Sequence, residues 1–401
     1  MSDVVIIGSG FAGLWAALGA ARRLAENAES SSATDTVQIT MVSAQPFHDI
    51  RVRNYETDLS DCRIPVAGLL DPAGIRHVTA TVTAIDTQRR QITAGDAVIG
   101  YDRLVLAAGS HVVRPPIPGL AEFGFDIDTF DGATRLTEHL TRLVATPTQA
   151  ASTVVVVGAG LTGVEVASEL PARLRALFGD GVTPRVMLVD RNPRVGSDMG
   201  DSARPVIEAA LADNGVHAIT GVGVTAVDAD SVTLSSGDVL ATSTVVWCAG
   251  MRASDLTTQI PGNRDRLGRL EVDDYLRVVG VPGVFAAGDV AAAKMDDEHL
   301  SVMSCQHARP MGRYAGYNVI ADLLGAPMLD LRIPWYVTVL DLGPAGAVYT
   351  EGWDRQVMTT GDVAKATKVT INSRRIYPPL DGDRSALLAA AAPEVQAPPQ
   401  K

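Results

Sequence analysis

One decapeptide pattern occurs twice in this chain. Val4–Gly13 reads VVIIGSGFAG and Val154–Gly163 reads VVVVGAGLTG, 150 residues further on. Each copy begins with a β-branched run suited to a strand buried on both faces, passes through glycines, and enters an apolar segment with helical spacing. The copies stay in step downstream. VTAID at Val82–Asp86 is answered by VTAVD at Val224–Asp228, and YDRLVLAAG at Tyr101–Gly109 by STVVWCAG at Ser243–Gly250. At roughly 150 residues per domain, a chain of 401 residues has room for two such units and a third, smaller piece.

The predicted architecture is therefore α/β, with two Rossmann-like units of parallel sheet and a small C-terminal α+β region. Alternating segments at Arg90–Ile99 and Ser231–Leu240 predict an antiparallel meander inserted into each unit. The proline-rich stretch Arg114–Gly119 marks the crossing from the first unit to the second. A later strand signal, Val281–Val290 (VPGVFAAGDV), belongs to neither repeat. We divide the chain into 1–114 with 263–330, then 115–262, then 331–401. In the last part the pattern predicts a strand at Trp335–Leu342, another at Val348–Trp353 and a helix near Asp362–Ile371. The Ala/Pro-rich residues from Leu387 onward read as a mobile tail.

Gly8-x-Gly10-x-x-Gly13 follows a strand and opens a helix, the context that a dinucleotide fingerprint requires. The first glycine makes the tight turn, the second admits a pyrophosphate close to the backbone, and the third lets helix pack on strand. Phe11 and Ala12, within the motif, open the helix whose N–H groups and dipole face the phosphates. Gly158, Gly160 and Gly163, with Leu161 and Thr162 between them, repeat the arrangement. The strand after each loop ends differently, in Ser43 (QITMVS) for the first copy and in Asp190 (RVMLVD) for the second. A carboxylate there accepts from ribose hydroxyls and repels a 2′-phosphate, so the second unit is read as favouring NADH over NADPH, with the neighbouring Arg191 as a solvated loop arginine. Gly288-Asp289 ends the later strand and can return a carboxylate to the first unit, which points to FAD there.

Net charge is −12, which argues against nucleic acid and anionic lipid as partners. Residues 331–401 carry net +1 and the remainder −13, so the C-terminal piece offers a different surface. Three cysteines, Cys62, Cys248 and Cys305, form no short pair and no metal-ligand spacing, and no metal is expected. A strand-like run from Asp3 leaves no room for a leader, and no stretch approaches the ~18 apolar residues of a membrane span. The expectation is a cytoplasmic protein of bacterial composition.

The ordered set GSGFAG, YDRLVLAAGS, VVVVGAGLTGVEVASEL, VVWCAGMRAS and VPGVFAAGDVA resembles the two-dinucleotide-binding-domain flavoproteins, the pyridine nucleotide-disulfide oxidoreductase superfamily. Within it the chain is most similar to the type II NADH:quinone oxidoreductases and their bacterial relatives. The resemblance implies that NADH passes hydride to FAD and that electrons leave for an external acceptor, a quinone in the first instance. It places Asp289 on the ribityl and phosphate region of FAD, with Ala107, Ala108, Gly109 and the Val82 backbone along the flavin. Gly160, Thr162 and Glu165 would meet NADH, with Ala249 and Gly250 at the turn matching Ala108 and Gly109. Glu165 admits two readings: a carboxylate stabilised by the helix dipole, or a catalytic group that aligns the nicotinamide.

Gln306 matches the first glutamine of the quinone reductases' AQxAxQ and Ala308 its alanine, while Pro310 replaces the second glutamine. Gln306 is therefore the second catalytic candidate, and the replacement departs from the usual quinone pocket. No cysteine pair lies near Ser43–Tyr55, where the superfamily's disulfide reductases carry one. Lys365, Lys368, Arg374 and Arg375 give only a weak counterpart of the family's membrane anchor, so no stable anchoring is expected, while a transient peripheral membrane contact stays open. A ferredoxin-like acceptor, or a regulatory role resembling apoptosis-inducing factor, stays open at this point, as does a homodimer.

Overall fold

A computed structural model describes residues 2–28, 37–179 and 183–399. Two five-stranded parallel sheets carry the repeat. In the first, the strand order is Val284–Ala286, Arg103–Leu106, Ser2–Ile7, Val37–Ser43 and Arg76–Thr79. In the second it is Gly124–Phe125, Thr244–Trp247, Thr153–Val157, Arg185–Asp190 and Val216–Thr220. The central strands are buried on both faces: Val4, Val5 and Ile6, like Val154, Val155 and Val156, are wholly covered, which is why these runs lack the alternation of a half-exposed strand. Each unit also carries a three-stranded antiparallel meander, Val82–Asp86 with Gln91–Ala94 and Ala97–Gly100, and Val224–Val227 with Ser231–Leu234 and Val239–Ala241. The α/β class read from the repeat is the class observed.

Three long helices position the candidate site: α1 (Phe11–Ala28), α2 (Leu161–Phe178) and α3 (Cys305–Leu323). Helices α1 and α2 leave the two glycine loops. Helix α3 lies across α1 with backbone nearly touching backbone. A Cβ on Gly312 would come 2.4 Å from the Ala12 carbonyl oxygen, and one on Gly316 would come 2.1 Å from that of Ala16. This contact brings the N-terminus of α3, capped by the Ser304 hydroxyl, to the first glycine loop.

The strand Val284–Ala286 follows the second unit in the chain yet pairs in the first sheet beside Arg103–Leu106. A two-stranded antiparallel ribbon, Ser110–Val112 with Met251–Ala253, ties the units where the chain crosses between them. The C-terminal region forms an antiparallel sheet, Val337–Asp341, Ala347–Glu351 and Gln356–Thr360, followed by α4 (Gly361–Thr370) and α5 (Arg384–Ala390). Trp335 stands two residues outside the strand expected to begin with it.

The tail from Leu387, expected to be mobile, lies packed against the body. It opens with α5, whose Leu387 is fully buried, and Arg22 of α1 donates to the Leu388 carbonyl at 2.9 Å. Residues 394–397 then bond to three arginines of the body. Lys365 and Lys368, the weak counterpart of an anchor, both turn toward carboxylates of the body. Lys365 reaches Asp341 at 2.5 Å and Lys368 is buried against Glu165. Among the described residues no helix is long and apolar enough to cross a membrane.

Candidate functional site

The two glycine loops are near-copies in detail. Gly8 and Gly158 adopt φ of +107° and +105°, and their N–H groups donate to Val42 and Val189 at 2.8 Å each. A Cβ on Gly13 would lie 2.0 Å from the Gly8 carbonyl oxygen, and one on Gly163 would lie 1.7 Å from that of Gly158. The first glycine of each loop presses on the opposing turn, Gly8 on Ala107 and Gly158 on Ala249. Space for a ligand remains at the second glycine. A Cβ on Gly10 would meet no protein atom within 4 Å, nor would one on Gly109 across the cleft. At Gly160 the nearest atom is Asp198 Oδ2, 3.1 Å from such a Cβ and on an exposed turn. A phosphate here therefore meets a carboxylate that has to turn away.

Of the two residues ending the strands, Ser43 donates its hydroxyl to the Gln45 carbonyl at 2.7 Å and lies 2.8 Å from His77 Nε2. Its one proton is committed, so toward a ribose hydroxyl it can only accept. Asp190 is buried, with Oδ2 accepting from Ala159 N–H at 2.5 Å and Oδ1 from Asn192 N–H at 2.7 Å. Each carboxylate oxygen keeps a lone pair. Arg191 is exposed.

Gly288 lies under Ala12, which a Cβ at that position would approach to 2.7 Å. Its neighbour Asp289 accepts from the Ser110 hydroxyl at 2.6 Å and stands 3.8 Å from Arg51. Burial pushes the Asp289 carboxyl above its ordinary range, more than Ser110 and Arg51 draw it down. Arg51, unmarked in the sequence, is the hub of this corner. It donates to the Ser110 carbonyl and hydroxyl at 3.0 Å each and pairs with Asp128, whose other oxygen takes the Val112 N–H.

Beside the α3 N-terminus, buried polar atoms face no protein partner. His48 Nδ1 lies 2.8 Å from the Ser9 carbonyl and so carries the proton, leaving Nε2 as an unused acceptor. His307 accepts from Val302 N–H at 2.8 Å through Nδ1, leaving its Nε2–H unused, and Gln306 Nε2 is also unpaired. Burial holds both imidazoles down at about 4, so both are neutral at pH 7. Orphaned donors and an orphaned acceptor at a helix N-terminus, beside an open glycine loop, fit a planar heterocycle with a polar edge joined to a dinucleotide tail.

Glu165 does not stand free at the mouth of the second loop. It accepts from Lys368 Nζ at 2.7 Å and from Asp341 N–H at 3.1 Å, and is 9 % exposed. Burial pushes its carboxyl up, against the pull of Lys368. Burial also draws the Lys368 ammonium down, but Glu165 and Asp341 outweigh this and its pKa ends above the ordinary value. Tyr55, also buried, donates to Asp341 at 3.2 Å beneath the same pair. The dipole reading and the alignment reading of Glu165 both omitted Lys368, which lies 203 residues away and carries no motif.

The thiols do not form a relay. Cys62 is buried, and burial pushes its thiol up to about 11 and that of Cys248 to about 12; Cys305 is raised likewise. Thiols so disposed are poor nucleophiles at neutral pH.

The family model described as pyridine nucleotide-disulphide oxidoreductase matches residues 2–312. A protein of Mycobacterium tuberculosis described as NADH dehydrogenase-like is 70% identical over 99% of both chains. A type II NADH:quinone oxidoreductase of the same species is 32% identical over 72% of this chain and 66% of its own. Among solved structures, that of NDH2 from Plasmodium falciparum in complex with NADH has a TM-score of 0.77 at 13% identity, covering 97% of each chain.

Proposed function

Because the chain belongs to the pyridine nucleotide-disulphide oxidoreductase family, we propose that it is an FAD enzyme that oxidises NADH and delivers the electrons to a quinone without a thiol relay. The duplicated glycine geometry, open at Gly10 and closed by a carboxylate at Asp190, is the observation that carries this reading. Relatives described as NADH dehydrogenase-like and as type II NADH:quinone oxidoreductase support it.

In this reading the Gly8–Gly13 loop, the Ala107–Gly109 turn, the Val82 backbone and Asp289 hold FAD. The Gly158–Gly163 loop with Asp190 and the Ala249–Gly250 turn holds NADH. Bound FAD supplies the redox chemistry, taking up a hydride and releasing electrons to the second substrate. The chain's own contribution is placement. The α3 N-terminus offers N–H groups and a positive dipole end to the polar ring edge, with Gln306 and His307 beside it. Glu165, held by Lys368 and the Asp341 N–H, fixes the N-terminal half of α2 against the C-terminal region. The raised thiols stay protonated and out of the electron path.

The test is anaerobic titration of the purified yellow protein, followed by menadione. One equivalent of NADH bleaches the flavin absorbance, NADPH does so at least ~10-fold more slowly, and menadione restores it. Asp190→Ala narrows the gap between the two nucleotides. A protein that binds no flavin, or whose flavin NADH leaves oxidised, refutes the proposal.

A further inference from the structure

A cavity of about 80 Å³ lies beside Cys305 and Gln306, between α3 and the C-terminal region. Its walls combine two chemistries. One side is apolar, with Trp335, Val337, Ile371 and Ile376. The other presents three guanidinium groups, Arg309 and Arg313 one turn apart on α3 and Arg375 from a π-helical turn, Ile371–Arg375, that continues α4.

Arg309 and Arg313 are only 7 % and 4 % exposed, stack over Trp15 with guanidinium carbons 5.4 and 4.3 Å from its ring centre, and each leaves a buried Nε without a partner. Among the described residues none of the three arginines forms an ion pair. Their hydrogen bonds to the tail go to neutral oxygens. Arg309 donates to Gln396 Oε1 at 3.1 Å, Arg313 to the Glu394 carbonyl at 3.5 Å, and Arg375 to the Ala397 carbonyl at 2.6 Å. Burial brings the guanidinium pKa values of Arg309 and Arg313 down to about 10, so both remain charged at neutral pH.

Buried cations without a carboxylate in direct contact are costly, the Glu394 side chain acting on Arg313 only from beyond ion-pair distance, and planar guanidinium forks match a carboxylate better than they match single carbonyls. The cavity is also far below the roughly 300 Å³ of an ordinary ligand pocket. Segment 394–397 supplies the missing volume, because it lies where a ligand's charged group would reach the arginines.

We propose that Arg309, Arg313 and Arg375 bind the anionic substituent of the electron acceptor, a flat aromatic quinone bearing a carboxylate, and that residues 394–397 occupy its place until it arrives. This rests on the quinone reading above and adds the class of quinone. The overall step balances as NADH and one proton reducing the quinone to the quinol, with the carboxylate unchanged. The apolar wall takes the ring, and Pro310, in place of the family's second glutamine, leaves recognition to the arginines.

Two readouts test it. Isothermal titration of the holoprotein with 2-naphthoate, which is anionic but not reducible as a quinone, measures the site without turnover. The expected result is binding that weakens at least tenfold in Arg309→Gln and Arg375→Gln and recovers in part in Arg309→Lys. In steady state, the ratio of kcat/KM for 1,4-naphthoquinone-2-sulfonate to that for menadione falls at least tenfold in the same glutamine variants. No binding of naphthoate to the wild type, or a ratio that the substitutions leave unchanged, overturns the anion site. If NADH bleaches the flavin but neither quinone restores it, the quinone reading fails and the naphthoate titration alone judges the anion site.

Discussion

Glu165 and Lys368 place a carboxylate and an ammonium 2.7 Å apart in a buried position, with the Asp341 N–H on the same carboxylate oxygen. Removing one partner strands the other charge, whereas removing both replaces the pair by packing. Glu165→Gln or Lys368→Met alone is expected to cost ~3 kcal/mol in urea unfolding, and the double variant about 2 kcal/mol less than the sum. Additive losses would contradict the coupling. If Glu165 also aligns the nicotinamide, stopped-flow reduction by NADH stays slow in the double variant although stability returns. The sequence marks Glu165 because it follows a fingerprint at fixed spacing. It cannot mark Lys368, Arg51 or Arg309, whose significance depends on neighbours far along the chain. A motif marks Gln306 as a candidate, but nothing local marks the arginine one turn later that lines the cavity, because an arginine on a helix is ordinarily solvated.

At the scale of elements, the α1–α3 crossing matters most, since it sets the α3 N-terminus against the first glycine loop. The contact needs Gly312 and Gly316, whose added Cβ atoms would run into backbone oxygens that cannot move aside without shifting a helix. Gly316→Val should destabilise the fold by ~3 kcal/mol or more and lower the flavin bound per chain, measured by thermal melting and by absorbance after purification. Wild-type melting and full flavin content would show the helices have slack. The βα repeat and both meanders were legible because periodicity and glycine spacing are local signals. The α1–α3 contact was not, because glycines in a helix carry no label for the partner they admit. The packing of the tail was not legible for a related reason: its Ala/Pro-rich composition carries no sign of the body it meets, where α5 is capped by Asp383 and buries Leu387.

For the whole molecule, His48 and His307 link stability to acidity. An unfolded imidazole titrates near 6.5, and these two titrate at about 4 when folded. Between those values the unfolded chain binds more protons, so stability contributed by each neutral ring is lost as pH falls, up to ~3 kcal/mol apiece. Glu165, Glu169 and Asp289, whose carboxyls burial pushes up, act in the opposite sense, because acidification relieves their buried charge. The measurable quantity is therefore a difference. In urea unfolding between pH 6.5 and pH 4, His307→Asn should lose less stability than the wild type, by as much as ~3 kcal/mol. Parallel curves would remove His307 from the account.

The C-terminal region touches both nucleotide units. Lys368 and the Leu342 carbonyl, bonded by Asn214, meet the second, while Tyr377 and Asn372 meet Arg53 and Glu56 of the first. The spacing between the two loops is thus set once, at folding, by a brace that also forms part of the arginine-lined cavity. On the proposed reading, change in that brace can replace the outlet for electrons while the inlet stays as it is, so a lineage can acquire a new acceptor without re-evolving its way of handling a nicotinamide nucleotide.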